Sequence, residues 1–290
     1  AEDASFDFEG LHQYTLDLIN KCKEDADACY ELGKFYLVGI GSRSEPNIEK
    51  AKTYLTQGCQ KQSGKSCCLL AGLHREQNNA RLAKKHWLEA QRLLTRDCEI
   101  NDKPNACMFW GLELLSNSED PVRDYPVALR FLERGCKLGQ PVCCLNAGVV
   151  YSNYVKDSEK AKSYFQKACS MDNGDACWLL GEEVDKTNTA TEELNPNELY
   201  KKACDMKCLE GCVAHGTNMI KEGKFDMALE SLTTACDKGE PNGCILGGLM
   251  LLKTKNNSHA LQLLAKGCEA GSEECCLYAQ KAESLLNGSK

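Results

Sequence analysis

Twenty cysteines dominate the chemistry open to this 290-residue chain, and their spacing sorts that chemistry. Sixteen fall into eight local pairs: Cys22 with Cys29, Cys59 with Cys68, Cys98 with Cys107, Cys136 with Cys144, Cys169 with Cys177, Cys204 with Cys212, Cys236 with Cys244, and Cys268 with Cys276. Within a pair the separation is seven to nine residues. Zinc fingers and dithiol redox catalysts need both sulfurs on one tight turn, so they place them two to four residues apart. The wider gap suits the end of one helix, a short loop and the start of the next, with a bridge closing the corner. Each such loop contributes about 2–3 kcal/mol by the chain-entropy estimate. Bridges of this kind persist only where thiols are not kept reduced, in secreted, periplasmic, endoplasmic-reticulum or mitochondrial intermembrane-space proteins.

Four cysteines are left over: Cys67, Cys143, Cys208 and Cys275. Redox-active thiols or metal ligands are one reading. Packing is the other, because three of them stand just before a second cysteine, where other repeats hold Ala28, Ala106, Ala176, Gly211 and Gly243, and a free Cys behaves as a small hydrophobe. Cys204, Cys208, Cys212 and His215 present four soft or borderline ligands in sequence. If Cys204 and Cys212 are bridged, only a thiol and an imidazole remain, too few for a closed zinc site. No metal is expected.

Catalytic and cofactor signatures are lacking as well. The chain has no G-x-S-x-G, H-E-x-x-H, Walker-type phosphate loop or S-x-x-K, the patterns that place a nucleophile, a metal or a phosphate cradle. His12, His74, His86, His215 and His259 show no ligand spacing. No catalytic residue and no cofactor are expected, and the chain reads as non-enzymatic. A formal net charge of −7 with no basic block argues against a nucleic-acid partner. No apolar run approaches the roughly 20 residues of a membrane-spanning helix. Ala1-Glu2-Asp3 fits either the end left by signal cleavage or removal of a start Met before Ala. Asn256-Asn257-Ser258 and Asn287-Gly288-Ser289 are glycosylation acceptor triplets, relevant only in a secretory lumen.

The elements that position these cysteines repeat. Second cysteines advance by 32 to 39 residues, a period of stacked helical hairpins. Four residues after the first seven stand Gly33, Gly72, Gly111, Gly148, Gly181, Gly216 and Gly248, and after the eighth, where the stack ends, Gln280. Glycine inside a helix costs about 1 kcal/mol against Ala, so a register of seven argues for a close helix crossing. Four residues before each first cysteine stand Leu55, Leu94, Leu132, Phe165, Tyr200, Leu232 and Leu264, and eight before stand Ala51, Ala90, Ala128, Ala161, Ala228 and Ala260, with Pro196 the departure. These offsets share the buried face of a helix with the cysteine. Helix A of each repeat thus starts at a second cysteine, and helix B ends at the next first cysteine. Ser42 to Asn47 and Asp185 to Asn195 are the longest A-to-B turns. The expectation is one repeat domain over 1–290, with cap helices at 7–22 and 273–290 enclosing repeats over 23–272.

Lys167-Ala168-Cys169, seven residues, Cys177, then Gly181 resembles the cysteine-rich branch of the Sel1-like repeat family, over essentially the whole chain. The resemblance implies an all-α, right-handed αα-hairpin solenoid of about seven repeats, similar to tetratricopeptide arrays, with one disulfide per repeat and a scaffold or adaptor role. Asp27-Ala28-Cys29-Tyr30-Glu31-Leu32, followed by Gly39-Ile40, and the uneven period resemble a mitochondrial subgroup of cytochrome c oxidase assembly factors. Secreted bacterial cysteine-rich repeat proteins, acting on a host or cell surface, are the alternative, and a thiol redox or cofactor-carrying protein is a third. The favoured compartment is accordingly the mitochondrial intermembrane space.

In such an array A helices line the concave side. Residues two and five beyond the second cysteine point away from the core: Leu70 and Leu73, Phe109 and Leu112, Asn146 and Val149, and Glu182 beside Leu179. One expectation is an apolar strip of Leu70, Leu73, Phe109 and Leu112 that takes a protein or peptide client, with Asn146 gripping its backbone. The other is that neighbouring A helices bury these side chains between themselves. The sequence does not specify an oligomeric state.

Overall fold

The computed structural model describes residues 8–39, 45–116, 125–192 and 194–287. Ala1 to Asp3, Ile40, residues 42–44 of the Ser42 to Asn47 turn and the Gly288-Ser289 end of the second acceptor triplet lie outside them. The described residues form sixteen α-helices and one π-helical turn, and no strand. The helices alternate in kind. Those ending at a first cysteine are α1 (Phe8–Cys22), α3 (Ile48–Gln60), α5 (Ala80–Glu99), α7 (Tyr125–Lys137), α9 (Ser158–Ser170), α11 (Pro196–Asp205), α13 (Phe225–Asp237) and α15 (Asn257–Glu269). Those opening near a second cysteine are α2 (Ala26–Val38), α4 (Gly64–Glu76), α6 (Pro104–Ser116), α8 (Pro141–Val150), α10 (Gly174–Thr187), α12 (Leu209–Lys221), α14 (Pro241–Lys253) and α16 (Glu273–Asn287). The chain divides into two compact units, Ala1–Leu138 with α1 to α7 and Gly139–Lys290 with α8 to α16. Each is a solenoid of αα-hairpins, with α1 opening the first and α16 closing the second.

Six of the eight corners obey one rule. B helices end in a residue at positive φ, three positions after the first cysteine: Gln62, Gly139, Asp172, Lys207, Gly239 and Gly271. That left-handed residue satisfies the last carbonyls and stops the helix. Side chains then restart the chain as A helices: Ser63 accepts from the Ser66 amide and Asn173 from the Ala176 amide, an N-cap contribution of about 1 kcal/mol each. The second cysteine is always the fourth residue of its A helix. Bridges close these corners with Cα separations of 4.4–4.7 Å; Cys136 and Cys144 are disulfide-bonded as well. There are eight bridges, roughly one per repeat.

One expected pairing is wrong. Cys59 bonds Cys67, and Cys68 keeps its thiol. The reason lies in the turn: Gln62, three residues after Cys59, takes the left-handed conformation that marks an eight-residue corner. In the nine-residue corner, Cys98 to Cys107, the positive φ comes one position later, at Asp102. Cys67 is therefore the fourth residue of α4, and Cys68 is one position, about 100° of helix rotation, further round.

The glycine register meets the large residues of the preceding column. A Cβ at Gly111, Gly148, Gly181, Gly216 or Gly248 would stand 2.5–2.7 Å from Leu132, Phe165, Tyr200, Leu232 or Leu264 respectively, and Gly33 is pressed against Leu55 in the same way. These large side chains are at most 2% exposed, and burying each contributes about 1.5–3 kcal/mol. Gly72 breaks the register: nothing lies within 4 Å of its Cβ position. With Cys67 as the reference, Ala71 occupies the packed column and Gly72 belongs to the outer face.

A second column, invisible in either cysteine list, fills the corners. Residues just before the first and second cysteines face each other with complementary volumes. Gly58 meets Ser66, Ala203 meets Gly211, Ala235 meets Gly243 and Gly267 meets Cys275. Cations join successive repeats: Lys61 donates to the Cys22 carbonyl at 2.8 Å, Arg134 to the Cys98 and Glu99 carbonyls at 2.9 and 2.8 Å, and Lys202 to the Cys169 carbonyl at 3.2 Å. Each places positive charge at the negative end of a B helix.

Candidate functional site

The outer columns of the A helices differ from repeat to repeat, from exposed Glu31 and Lys34 on α2 to half-buried Phe109 and Leu112 on α6. In the first unit, Leu70 is 1% and Leu73 6% exposed, in a cluster with Leu55. They do not form the expected solvent-facing strip. The register shift explains Leu70, which stands three after Cys67 in the core column of Leu32, Trp110 and Leu180, all buried. Leu69 and Gly72 take the outer positions instead. Phe109 is half-buried, packed on the cluster around Trp110 and edge-on to Tyr30 at 6.0 Å between ring centroids. Leu112 is also half-buried. Lys34 and Lys65 stand over the Tyr30 ring.

In the second unit the outer side of α10 is open, with Glu182 exposed. The Asn146 amide donates to the carbonyl of Val142 on its own helix at 2.8 Å. Val149 and Glu182 come together: with Leu179, Phe165, Glu183 and Lys186 they line a cleft of about 370 Å³. At its back the π-helical turn Tyr151–Val155 carries Ser152, whose hydroxyl donates to Glu183 at 2.7 Å, while Ser158 donates at 2.6 Å. Burial raises the Glu183 pKa, but the two serines and Lys186 outweigh it, so the carboxyl sits below its ordinary range.

Glu182 also lines a second cleft of about 370 Å³, with Trp178, Asp185, Tyr200, Glu210, Val213, Ala214, Thr217, Asn218, Lys221, Glu240 and Asn242. Its floor depends on a glycine. Tyr200, on α11, lies with its ring against Gly181 and reaches through to the outer side of α10, where its hydroxyl is 3.1 Å from Glu182 and 2.8 Å from Asp185. Burial, reinforced by the two carboxylates, pushes the phenol pKa far up. Sequence reading treats Tyr200 as one more core residue and Asp185 as turn. The usable signal was that Tyr200 alone in its column carries a hydroxyl.

The leftover thiols are packed away. Cys68, Cys143, Cys208 and Cys275 are buried and unbridged. Burial, then the nearby Glu113 carboxylate that accepts its hydrogen bond, drives the Cys68 pKa up. Burial raises Cys143 to about 12, and burial with the Asp175 and Glu210 carboxylates raises Cys208 to about 12. Protonated thiols of this kind are poor nucleophiles. Cys208 does not converge with His215, whose Nδ1 pairs with the Ser231 hydroxyl at 2.7 Å inside the core. Its neighbours are Asp175 and Glu210, with ligand atoms within 4.8 Å of one another. Asn256 is exposed at the start of α15. Among the described residues no helix is long and apolar enough to cross a membrane.

Comparison with known proteins agrees with this architecture. The Sel1 repeat model matches residues 26–63, 104–140, 143–173 and 244–272. Cytochrome c oxidase assembly factor 7 of Xenopus tropicalis is 28% identical over 150 residues, 50% of this chain and 64% of that protein. The alignment therefore spans just under two thirds of the relative's length. A Sel1 repeat protein from Oxalobacter formigenes superposes with a TM-score of 0.58 over 92% of this chain and 79% of that one, at 19% identity. A protective antigen of uropathogenic Escherichia coli with an SLR fold superposes at 0.56 over 91% and 65%, at 16% identity. The matched segments, bridged corners and helical hairpins show that the chain carries Sel1 repeats, stacked as αα-hairpins.

Proposed function

We propose that this protein is a non-enzymatic scaffold that binds a client protein on the outer columns of its A helices, in an oxidising compartment. The observation that carries the reading is the open A-helix face of the second unit, where two clefts meet at Glu182 on a framework held by bridges at its corners. A stiff surface binds with little ordering entropy. Eight disulfides favour a compartment where thiols stay oxidised, and the name of the Xenopus relative points to the mitochondrial intermembrane space and a role in assembling cytochrome c oxidase. Poorly ionised, buried thiols support a scaffold over a redox carrier.

The test is depletion in cells, followed by native-gel quantitation of assembled cytochrome c oxidase and protease protection before and after rupture of the outer membrane. The expected result is a protected protein that becomes digestible on rupture, with assembled oxidase reduced and restored by re-expression. Unchanged oxidase in depleted cells rules out the assembly role. Release into the medium, or digestion before rupture, rules out the intermembrane space.

A further inference from the structure

Two carboxylates crowd one phenol proton on the outer face of α10. The Tyr200 hydroxyl lies 3.1 Å from Glu182 and 2.8 Å from Asp185, and it has a single hydrogen to donate. Whichever carboxylate receives it, the other faces the lone pairs of the phenol oxygen. Among the described residues neither carboxylate is in an ion pair: Lys186 pairs with Glu183, and Lys221, the one cation lining the cleft, donates to Asn218. The wall carries two more carboxylates, Glu210 and Glu240. Four acids against one lysine leave the cleft strongly negative. Trp178 is half-exposed beside them, offering an aromatic face of the kind that attracts ammonium or guanidinium. Ala214 and Thr217, short residues on α12, leave the space open.

From this arrangement we infer that the cleft between α10, α12 and α14 seats a lysine or arginine side chain presented by a client polypeptide, its cation held by Glu182 and Asp185 and its stem against Trp178. The inference rests on the protein-binding reading and supplies the chemistry of the partner. A cation with several donors satisfies what the single phenol proton cannot, and its charge matches that of the wall. A cleft of about 370 Å³ suits one long side chain rather than a packed helix. The recognised segment is therefore extended, with one basic residue at a fixed position.

The test is a selection of random twelve-residue displayed peptides on the intact, oxidised protein, followed by titration of the best synthetic peptide. Enrichment of Lys or Arg at one position is expected. Replacing that residue by norleucine, or making Glu182→Gln with Asp185→Asn in the protein, should weaken binding at least tenfold, and raising salt should weaken it further. Melting curves of the double variant should match those of the parent, since both carboxylates are exposed. Leu112→Gln, in the first unit, should leave binding unchanged. Peptides that bind without a basic residue, or equally well to the double variant, overturn the inference while leaving the scaffold reading to its own cellular test. Failure to enrich any peptide overturns it too, as does calcium or magnesium binding at these carboxylates that the peptide cannot displace.

Discussion

The first and second units are built on the same corner and the same glycine-against-large-residue contact, yet α4 and α6 of the first and α10 of the second present different outer faces. In the first, Leu55 and Leu132 end at Gly33 and Gly111, Leu69 on the outer side of α4 packs against the Leu55 cluster, and Phe109 closes over Tyr30. In the second, Tyr200 passes Gly181 and emerges with a hydroxyl among carboxylates. Corner chemistry and the small-residue columns set the backbone, so the outer columns are free to be apolar and closed or polar and open. That division assigns stability to one set of positions and recognition to another.

If the corners are the shared frame, removing one should cost both units alike. Cys98→Ser with Cys107→Ser in the first, and Cys204→Ser with Cys212→Ser in the second, should each lower unfolding free energy by about 3 kcal/mol, read from denaturant titrations. A loss below about 1 kcal/mol in either unit would mean that helix packing alone holds that corner.

A contrast between equivalent outer positions comes next. Phe109 and Leu179 both stand two residues beyond a second cysteine. Phe109→Asp inserts a charge against Tyr30 and the Trp110 cluster and should cost about 3 kcal/mol. Leu179→Asp, at the wall of an open cleft, should cost under about 1 kcal/mol. Circular dichroism melts of the two variants check this, and equal losses would erase the distinction between closed and open faces.

Much of this frame was legible from spacing. Eight corners, the alternation of helix kinds and the glycine column follow from repeated cysteines and from the cost of glycine within a helix. The second repeat failed because it carries adjacent cysteines, and Gly72 four after Cys68 imitated the column. The left-handed Gln62 decides the register, and a glutamine gives no advance sign of that conformation as a glycine does at Gly139, Gly239 or Gly271. One residue of error rotated Leu70 from core to surface. The candidate site was less legible still, because Tyr200 and Asp185 acquire their meaning only when Gly181 lets a core side chain through to the far face.

The small-residue column inside the corners gives a finer test of the shared frame. A Cβ at Gly267 would collide with the Cys275 sulfur and stand 2.9 Å from Cys244 Cβ, so Gly267→Ala should cost about 1–2 kcal/mol. Ala235 facing Gly243 is the same contact with the volumes exchanged. Adding Cys275→Gly to Gly267→Ala should therefore recover most of the loss, and a coupling energy near zero in the double-mutant cycle would show that the two positions do not share one space.

The smallest effect belongs to the corresponding position of the second repeat and should be a gain. Ser66 is fully buried, and its hydroxyl has no hydrogen-bond partner among the described residues. A buried hydroxyl without a partner costs about 1–3 kcal/mol of desolvation. The same column holds Ala28, Ala106 and Ala176, all buried, so the backbone accepts a methyl there, and Gly58 opposite leaves room for one. Ser66→Ala removes the oxygen and keeps the Cβ, at the expense of a minor void too small for water. The balance favours the variant by about 0.5–1 kcal/mol, which calorimetric melts resolve as a rise of a few degrees at most, given how the shift shrinks with chain length. A fall in melting temperature would mean that the hydroxyl is satisfied in solution, and that this corner is held by a polar contact where its counterparts use methyl groups alone.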